Sequence, residues 1–187
     1  MAARAGIRRS DVVDQAVAMV DAGTRPADLS LGELSRRLGI RPQSLYAHVD
    51  GTEGLRRALA VAGLQALSVS VTNASIGTSG DEAIEAIVRA HLQFARERPG
   101  MYEAAIHPPG DDPELNEAVD RVGAPLERVL AAVGMDRNDR VHWTRLFLSS
   151  VYGYTALQQT GRFALPEATD ETENRLVEML TRQLAPQ

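Results

Sequence analysis

The sequence predicts an all-α protein with a three-helix head followed by a bundle of about six helices. Apolar residues make up 44% of the 187 residues and aromatic residues only 4%, so a core must consist chiefly of Leu, Val, Ala and Ile. That composition favours helices over sheets. Apolar residues recur every three or four positions, and no segment alternates convincingly between apolar and polar residues as a half-buried strand does.

The first helix is predicted at residues 9–22, with Gly23 as its stop signal. Its apolar residues fall at helical spacing and therefore form one inward face. These residues are Val12, Val13, Ala16, Val17 and Val20.

A second helix is predicted to begin at Ser30, which is a suitable N-cap and has Glu33 three residues later, as in a capping box. The helix places Leu31, Leu34 and Leu38 on one face. Gly39 follows and can adopt the left-handed conformation that ends a helix. The chain therefore turns sharply after residue 38.

A third helix is predicted at residues 42–48, because Pro42 suits a first helical turn, where its missing N–H is not needed. Leu45 and Val49 lie four residues apart and would be buried, which leaves the polar residues between them facing outward. Two short helices around a glycine turn form a helix-turn-helix, in which the second helix enters the major groove of DNA.

The exposed residue types of this segment suit DNA. Arginine can meet phosphate as a bidentate fork. Hydroxyl and imidazole groups can donate to phosphate oxygens, and Gln43 can pair with adenine or another base edge. The candidate DNA-binding residues are Ser30, Arg36, Arg37, Arg41, Gln43, Ser44, Tyr46, His48 and Thr52. The alternative is that they are ordinary solvated residues on a small three-helix unit.

The charge distribution supports the same partner. The net charge is −5, but residues 1–58 hold nine Arg against seven acidic residues, whereas residues 59–187 hold eleven Arg against eighteen. A mildly basic head on an acidic body keeps the attraction for phosphate local.

The head resembles that of the TetR family of bacterial transcriptional regulators. The resemblance is carried by LSRRLGI at 34–40, SLYAHV at 44–49 and the Gly-Leu pair at 54–55. Val49 stands where the family usually has Phe, and Thr52 where it usually has a phosphate-contacting Lys. Arg56 or Arg57 could supply the missing charge.

Further helices are predicted at residues 52–70, 81–98, 101–106, 113–122, 124–133, 138–160 and 170–184, with a loop at 72–80. The penultimate helix and the segment after it resemble a C-terminal TetR subclass marked by Trp, His and Gly. Gly153, Leu157, Gly161 and Phe163 match its pattern, whereas Phe147 and Tyr152 replace its Trp and His.

The resemblance implies a body that binds a small effector between helices and pairs its last two long helices with a second subunit. Aromatic walls with a few polar tips are typical of a small-molecule site. The candidate ligand-binding residues are His91, Phe94, Tyr102, His107, Trp143, Phe147 and Tyr154. The candidate dimerisation residues are Gly153, Leu157, Leu176, Met179 and Leu180. The alternative is that both sets pack within their own chain.

Other classes of protein find less support. The chain has no cysteine, so it has no disulfide framework and no thiolate metal site. No apolar run reaches the length of a membrane span, and no signal peptide is recognised, so we expect a cytoplasmic protein. No catalytic motif, cofactor loop or metal motif is present, and we expect neither catalysis nor a cofactor. A metal site built from His91, His107 and Asp111 stays open as an alternative.

The sequence thus leads to one main hypothesis. A DNA-binding domain at residues 1–51 and an effector-binding and dimerisation domain at 52–187 form a homodimeric repressor. A small molecule would release it from a palindromic operator, with the helix at 52–70 as the coupling element. The alternatives are a helix-turn-helix DNA binder without an effector and a helical metal-dependent enzyme.

Overall fold

In a computed structural model that describes residues 7–106, 108–165 and 167–182, the chain is helical, with no strand among those residues. The predicted all-α class is confirmed. The α-helices are α1 Arg9–Asp21, α2 Leu31–Leu38, α3 Pro42–Leu45, α4 Gly51–Ser75, α5 Gly80–Glu97, α6 Pro99–Ala105, α7 Pro113–Ala132, α8 Arg137–Gln159 and α9 Thr169–Arg182. A single 3₁₀ turn, Pro26–Asp28, lies between α1 and α2.

The chain forms two compact units. Unit one comprises Met1–Ala66 and Arg98–Ala118, and unit two comprises Leu67–Glu97 and Val119–Gln187. Unit one therefore holds α1–α3, most of α4, all of α6 and the start of α7. The functional division at residue 51, which concerns roles rather than packing, stays a prediction.

Unit one is organised around α1. Val12, Ala16 and Met19 are buried, and α1 packs against both α2 and α6. The Arg98 side chain, just before α6, donates to both carboxylate oxygens of Asp21 at 3.0 and 2.7 Å. This ion pair fixes the start of α6 beside the end of α1.

Two glycines allow unusually close packing in unit one. A Cβ atom on Gly63 of α4 would lie 2.6 Å from the backbone oxygen of Met101 in α6, and one on Gly100 would lie 2.5 Å from Cγ1 of Val20 in α1. Real Cβ atoms essentially never show contacts this short. The absence of a side chain at Gly63 and Gly100 is therefore what lets α6 sit against both α4 and α1.

Unit two is organised around α5, which packs against α8 and α9. Its buried face includes Ile84, Ile87 and Val88. The Arg96 guanidinium on α5 meets the largely buried carboxylate of Glu173 on α9, with nitrogen–oxygen distances of 3.2 and 3.3 Å. Apolar burial and one partly shielded ion pair thus hold α5 and α9 together.

Three predicted boundaries were wrong. The loop predicted at 72–80 is shorter, because α4 continues to Ser75. The helices predicted at 113–122 and 124–133 are one helix, α7, that runs through Pro125. Proline inside a helix costs about 3 kcal/mol, but Leu126 and Leu130 are buried just beyond it. The helix predicted at 101–106 begins two residues earlier, because Pro99 stands in the first turn of α6.

Helix α4 is long and apolar enough, by length and composition, to cross a membrane, and no other described helix meets those criteria. About 44% of its most apolar stretch is buried inside the protein. Leu55, Leu59 and Leu64 contribute to the core, so interior packing accounts for part of its hydropathy.

We expect Gly63→Ala to destabilise unit one, because the new methyl group would meet backbone atoms of α6 that cannot rotate away. Overpacking of this kind costs about 1–3 kcal/mol, measurable as a lower midpoint in urea unfolding followed by circular dichroism. Gly123→Ala is the matched control, because a Cβ there meets nothing within 4 Å. It should be neutral or stabilising by up to about 1 kcal/mol. Equal stability of the two variants would contradict the close packing.

Candidate nucleic-acid interface

The turn between α2 and α3 has the geometry that the sequence predicts. The Ser30 side chain accepts a hydrogen bond from the Glu33 N–H at 3.1 Å. Gly39 is left-handed at φ 66° and ψ 31°. The Ile40 N–H then donates to the Ser35 carbonyl at 3.0 Å, which closes the end of α2. These bonds turn the chain into α3.

Helix α3 separates buried from exposed residues as predicted. Leu45 and Val49 are buried, whereas Gln43 and Ser44 are exposed and the Tyr46 residue is 64% exposed. The prediction that α3 extends to His48 was wrong, because the helix ends at Leu45. The N–H groups of His48 and Val49 both donate to the Leu45 carbonyl, at 2.8 and 2.9 Å, so the chain tightens into a turn there.

Two of the candidate arginines are engaged within the chain. The Glu33 carboxylate accepts from Arg36 Nε at 3.1 Å and from Arg37 Nε at 3.0 Å. The hydrogen bonds from Arg36 and then Arg37 lower the pKa of Glu33. The predicted capping box is therefore only half formed, since the Glu33 side chain faces the arginines instead of the N-cap. The Arg36 side chain stays 76% exposed and that of Arg37 45%, and Arg41 is exposed as well.

The structure also locates the two arginines considered as replacements for the family's lysine. Arg57 Nη2 lies 2.7 Å from Asp112 Oδ1 and 2.8 Å from Glu114 Oε2. The Arg57 guanidinium lowers the pKa of Asp112 to about 2. Arg56 Nη2 donates to the Ala27 carbonyl at 3.3 Å. Arg57 is thus committed to the segment after α6, a partnership that the sequence did not reveal.

The candidate ligand-binding residues do not all belong to one unit. His91, Phe94, Trp143, Phe147 and Tyr154 are buried in unit two. Tyr102 is buried in unit one, and His107 lies outside the described residues.

The rings in unit two form a defined cluster. Trp143 stacks on Phe147, with 5.7 Å between ring centroids and 9° between planes. His91 meets the same Phe147 ring edge-on, at 5.0 Å and 87°. Tyr154 lies beside Phe163, and its hydroxyl donates to the Thr169 carbonyl at 3.1 Å.

The described residues include no group of three or more His, Asp or Glu side chains placed to hold a metal ion. His91 Nδ1 bonds the Ile87 carbonyl at 3.0 Å, and burial lowers the pKa of His91 to about 4. This bond engages one ring nitrogen of His91, and His107 lies outside the described residues, so the metal-site alternative has no support in the described part of the chain.

The candidate dimerisation residues differ in how far they are exposed to solvent. Leu157 is 44% exposed, Met179 is 48% exposed and Gly153 is also exposed, whereas Leu176 is half-buried. Leu180 is only 1% exposed and belongs to the core, so placing it on a partner surface was wrong.

Comparison with known proteins agrees with this architecture. Residues 84–180 match the family described as tetracyclin repressor-like, C-terminal domain. An HTH-type transcriptional regulator of Mycobacterium tuberculosis is 30% identical over 159 residues, which span 84% of this chain and 72% of that protein. One of Bacillus subtilis is 32% identical over 160 residues, which span 84% and 82% of the two chains.

Solved structures share the fold. A protein of unknown function from Rhodococcus superposes with a TM-score of 0.78 at 19% identity, over 98% of both chains. A TetR variant from Acinetobacter baumannii in complex with minocycline superposes with a TM-score of 0.70 at 18% identity, over 96% of both chains. At these identities the likeness concerns the fold alone.

We expect Glu33→Gln to strengthen binding to duplex DNA about two- to fivefold at low salt, because it frees Arg36 and Arg37 from an exposed ion pair. Fluorescence anisotropy with labelled DNA measures the change. Glu82→Gln is the matched control, since Glu82 is likewise an acidic residue in the first turn of a helix, α5. An unchanged affinity in Glu33→Gln would show that neither arginine meets phosphate.

Proposed function

This chain belongs to the TetR family of transcriptional regulators, and from that premise we propose that it is a homodimeric, cytoplasmic repressor released from a palindromic operator by a small molecule. The DNA-binding role is supported by the burial pattern of α3 and the turn that follows it. There Leu45 and Val49 are buried, whereas Gln43, Ser44 and Tyr46 are exposed. Buried anchors hold the segment while its polar side chains stay free for a major groove.

The proposed contacts follow from side-chain chemistry. Gln43 would read a base edge, while Ser44, Tyr46 and His48 would donate to phosphate oxygens. Phosphates would also be bound by three charged donors, Arg36, Arg37 and Arg41. The set is completed by Ser30, the N-cap of α2, and Thr52, in the first turn of α4. We leave Arg57 out of this set because it binds Asp112 and Glu114.

The proposed dimer face lies on α8 and α9. Leu146, Gly153 and Leu157 follow helical spacing on α8, and all three are exposed. A Cβ atom on Gly153 would meet nothing within 4 Å in its own chain, so packing inside the protomer does not explain this glycine. Glycine inside a helix costs about 1 kcal/mol, and close approach of a second subunit would give it a role. Met179 and half-buried Leu176 would extend the face onto α9.

The proposed effector response rests on the fold and on the ring cluster of unit two. A TetR variant that shares this fold is in complex with minocycline, and this supports a small-molecule effector for the chain. An effector shifts DNA binding only if it binds two states of the protein unequally. A tenfold loss of operator affinity requires about 1.4 kcal/mol of coupling. The chain passes between the units within α4 and α7 and between α5 and α6, so the coupling would act through these segments.

We expect the purified protein to bind DNA from the region upstream of its own gene tightly and in a salt-sensitive manner, with two subunits per site. Tyr46→Ala combined with His48→Ala should weaken this binding about a hundredfold or more while the protein stays dimeric. Electrophoretic mobility shift and sedimentation measure the two properties. Gln93→Ala, a change at an exposed residue of α5, is the control. Unchanged affinity in the double variant would rule out the proposed interface.

We expect Leu157→Arg to raise the dissociation constant of the dimer about a hundredfold or more, because the change places an unpaired charge in the proposed seam. Analytical ultracentrifugation over a concentration series measures it. Ile76→Arg is the matched control, since Ile76 is an exposed apolar residue of the α4–α5 loop, outside the proposed face. Equal behaviour of the two variants would move the dimer face elsewhere.

A further inference from the structure

The ring cluster of unit two contains a buried donor that the packing does not satisfy. Trp143 is 4% exposed, and its indole Nε1 has no hydrogen-bond partner among the residues that the structure describes. An indole N–H can donate but cannot accept. Leaving such a donor buried and unpaired costs about 1–3 kcal/mol, so a native protein that keeps one calls for an explanation.

The donor lies in apolar and aromatic surroundings. The indole stacks on Phe147, and the His91 imidazole packs edge-on against the same phenyl ring. Phe94, one turn beyond His91 on α5, is buried as well. Such rings bind flat, apolar molecules by stacking and area burial.

The protonation of the His91 ring defines a second polar group of the cluster. Its Nδ1 bonds the Ile87 carbonyl, which can only accept, so Nδ1 carries the proton. Burial lowers the pKa of His91 to about 4, so the ring is neutral near pH 7 and Nε2 is an acceptor. The cluster thus combines one free indole donor with one imidazole acceptor and carries no formal charge.

We propose that the effector is an uncharged, mainly apolar or aromatic molecule that presents a carbonyl or hydroxyl oxygen to Nε1 of Trp143 beside the Phe147 ring. This inference rests on the proposed effector response and specifies its chemistry. A neutral amide or alcohol can satisfy the indole donor and can itself donate to an acceptor such as His91 Nε2. A carboxylate would instead bring an unpaired charge into a buried aromatic cluster, which is costly.

The chain contains a single Trp, so the indole N–H gives one signal in a proton–nitrogen NMR spectrum. We use three probes that share a phenyl ring, namely benzamide, benzoate and toluene. For a ligand of benzamide's size we expect a dissociation constant of about 1 mM. Benzamide should move the indole signal downfield and saturably, whereas toluene should leave it without a downfield shift. Benzoate should bind at least tenfold more weakly than benzamide.

Trp143→Phe keeps a stacking ring but removes the N–H group. By ligand-observed NMR, we expect it to bind benzamide at least tenfold more weakly than the unmodified protein does. Arg137→Ala, a change at an exposed residue near the start of α8, should bind benzamide like the unmodified protein. Because the probe experiment uses the unmodified protein, the proposal can be decided even if the Phe variant fails to fold.

Two results would overturn the proposal. One is an indole signal that does not move at about twenty times the expected 1 mM dissociation constant of benzamide. The other is benzoate binding as tightly as benzamide. Operator binding, measured on the same samples, tests the proposed function separately. A compound that releases DNA without moving the indole signal would support the regulator and reject this site. A saturable indole shift in a protein with no specific DNA binding would support the site and reject the regulator.

Discussion

The contact on which the arrangement of unit one depends is the approach of α6 to α4 and α1 at Gly63 and Gly100. Neither position has room for a methyl group, since Gly63 faces the backbone of α6 and Gly100 faces the Val20 side chain of α1. Ion pairs between Arg98 and Asp21 and between Arg57 and Asp112 then secure both ends of the α6 segment. The helix-turn-helix is thus built into a unit that is larger than the motif and that includes α6.

Local signals in the sequence predicted local structure well. The N-cap at Ser30, the glycine turn at Gly39 and the buried pair Leu45 and Val49 each depend on neighbours within a few residues, and the structure has all of them. A proline inside a long helix misled the prediction, because burial of neighbouring apolar side chains offsets the free-energy cost of the proline. Pro125 lies within α7, where the leucines that follow it are buried. Propensity is a weak prior against such tertiary packing.

The sequence could not predict which side chains far apart in the chain bind one another. Helical spacing allows Glu33 to reach Arg36 and Arg37, three and four residues later, but it could not show that Asp112 binds Arg57. The long-range pair of Arg57 and Asp112 joins residues that are 55 positions apart, and no local pattern marks such a pair. Leu180 illustrates a related limit, because a shift of one residue in helix phase separates an inward from an outward position.

The short third helix has a consequence for how such a protein could change over time. In residues 42–49 the inward positions, Leu45 and Val49, are distinct from the exposed positions, Gln43, Ser44 and Tyr46. A single helical turn gains little stability from its own hydrogen bonds, so the buried pair and the Gly39 turn hold the segment in place. Under the proposed interface, substitutions at the exposed positions would redirect the protein to a new operator without loss of folding. Such a division lets new regulatory circuits arise by small steps from a common scaffold.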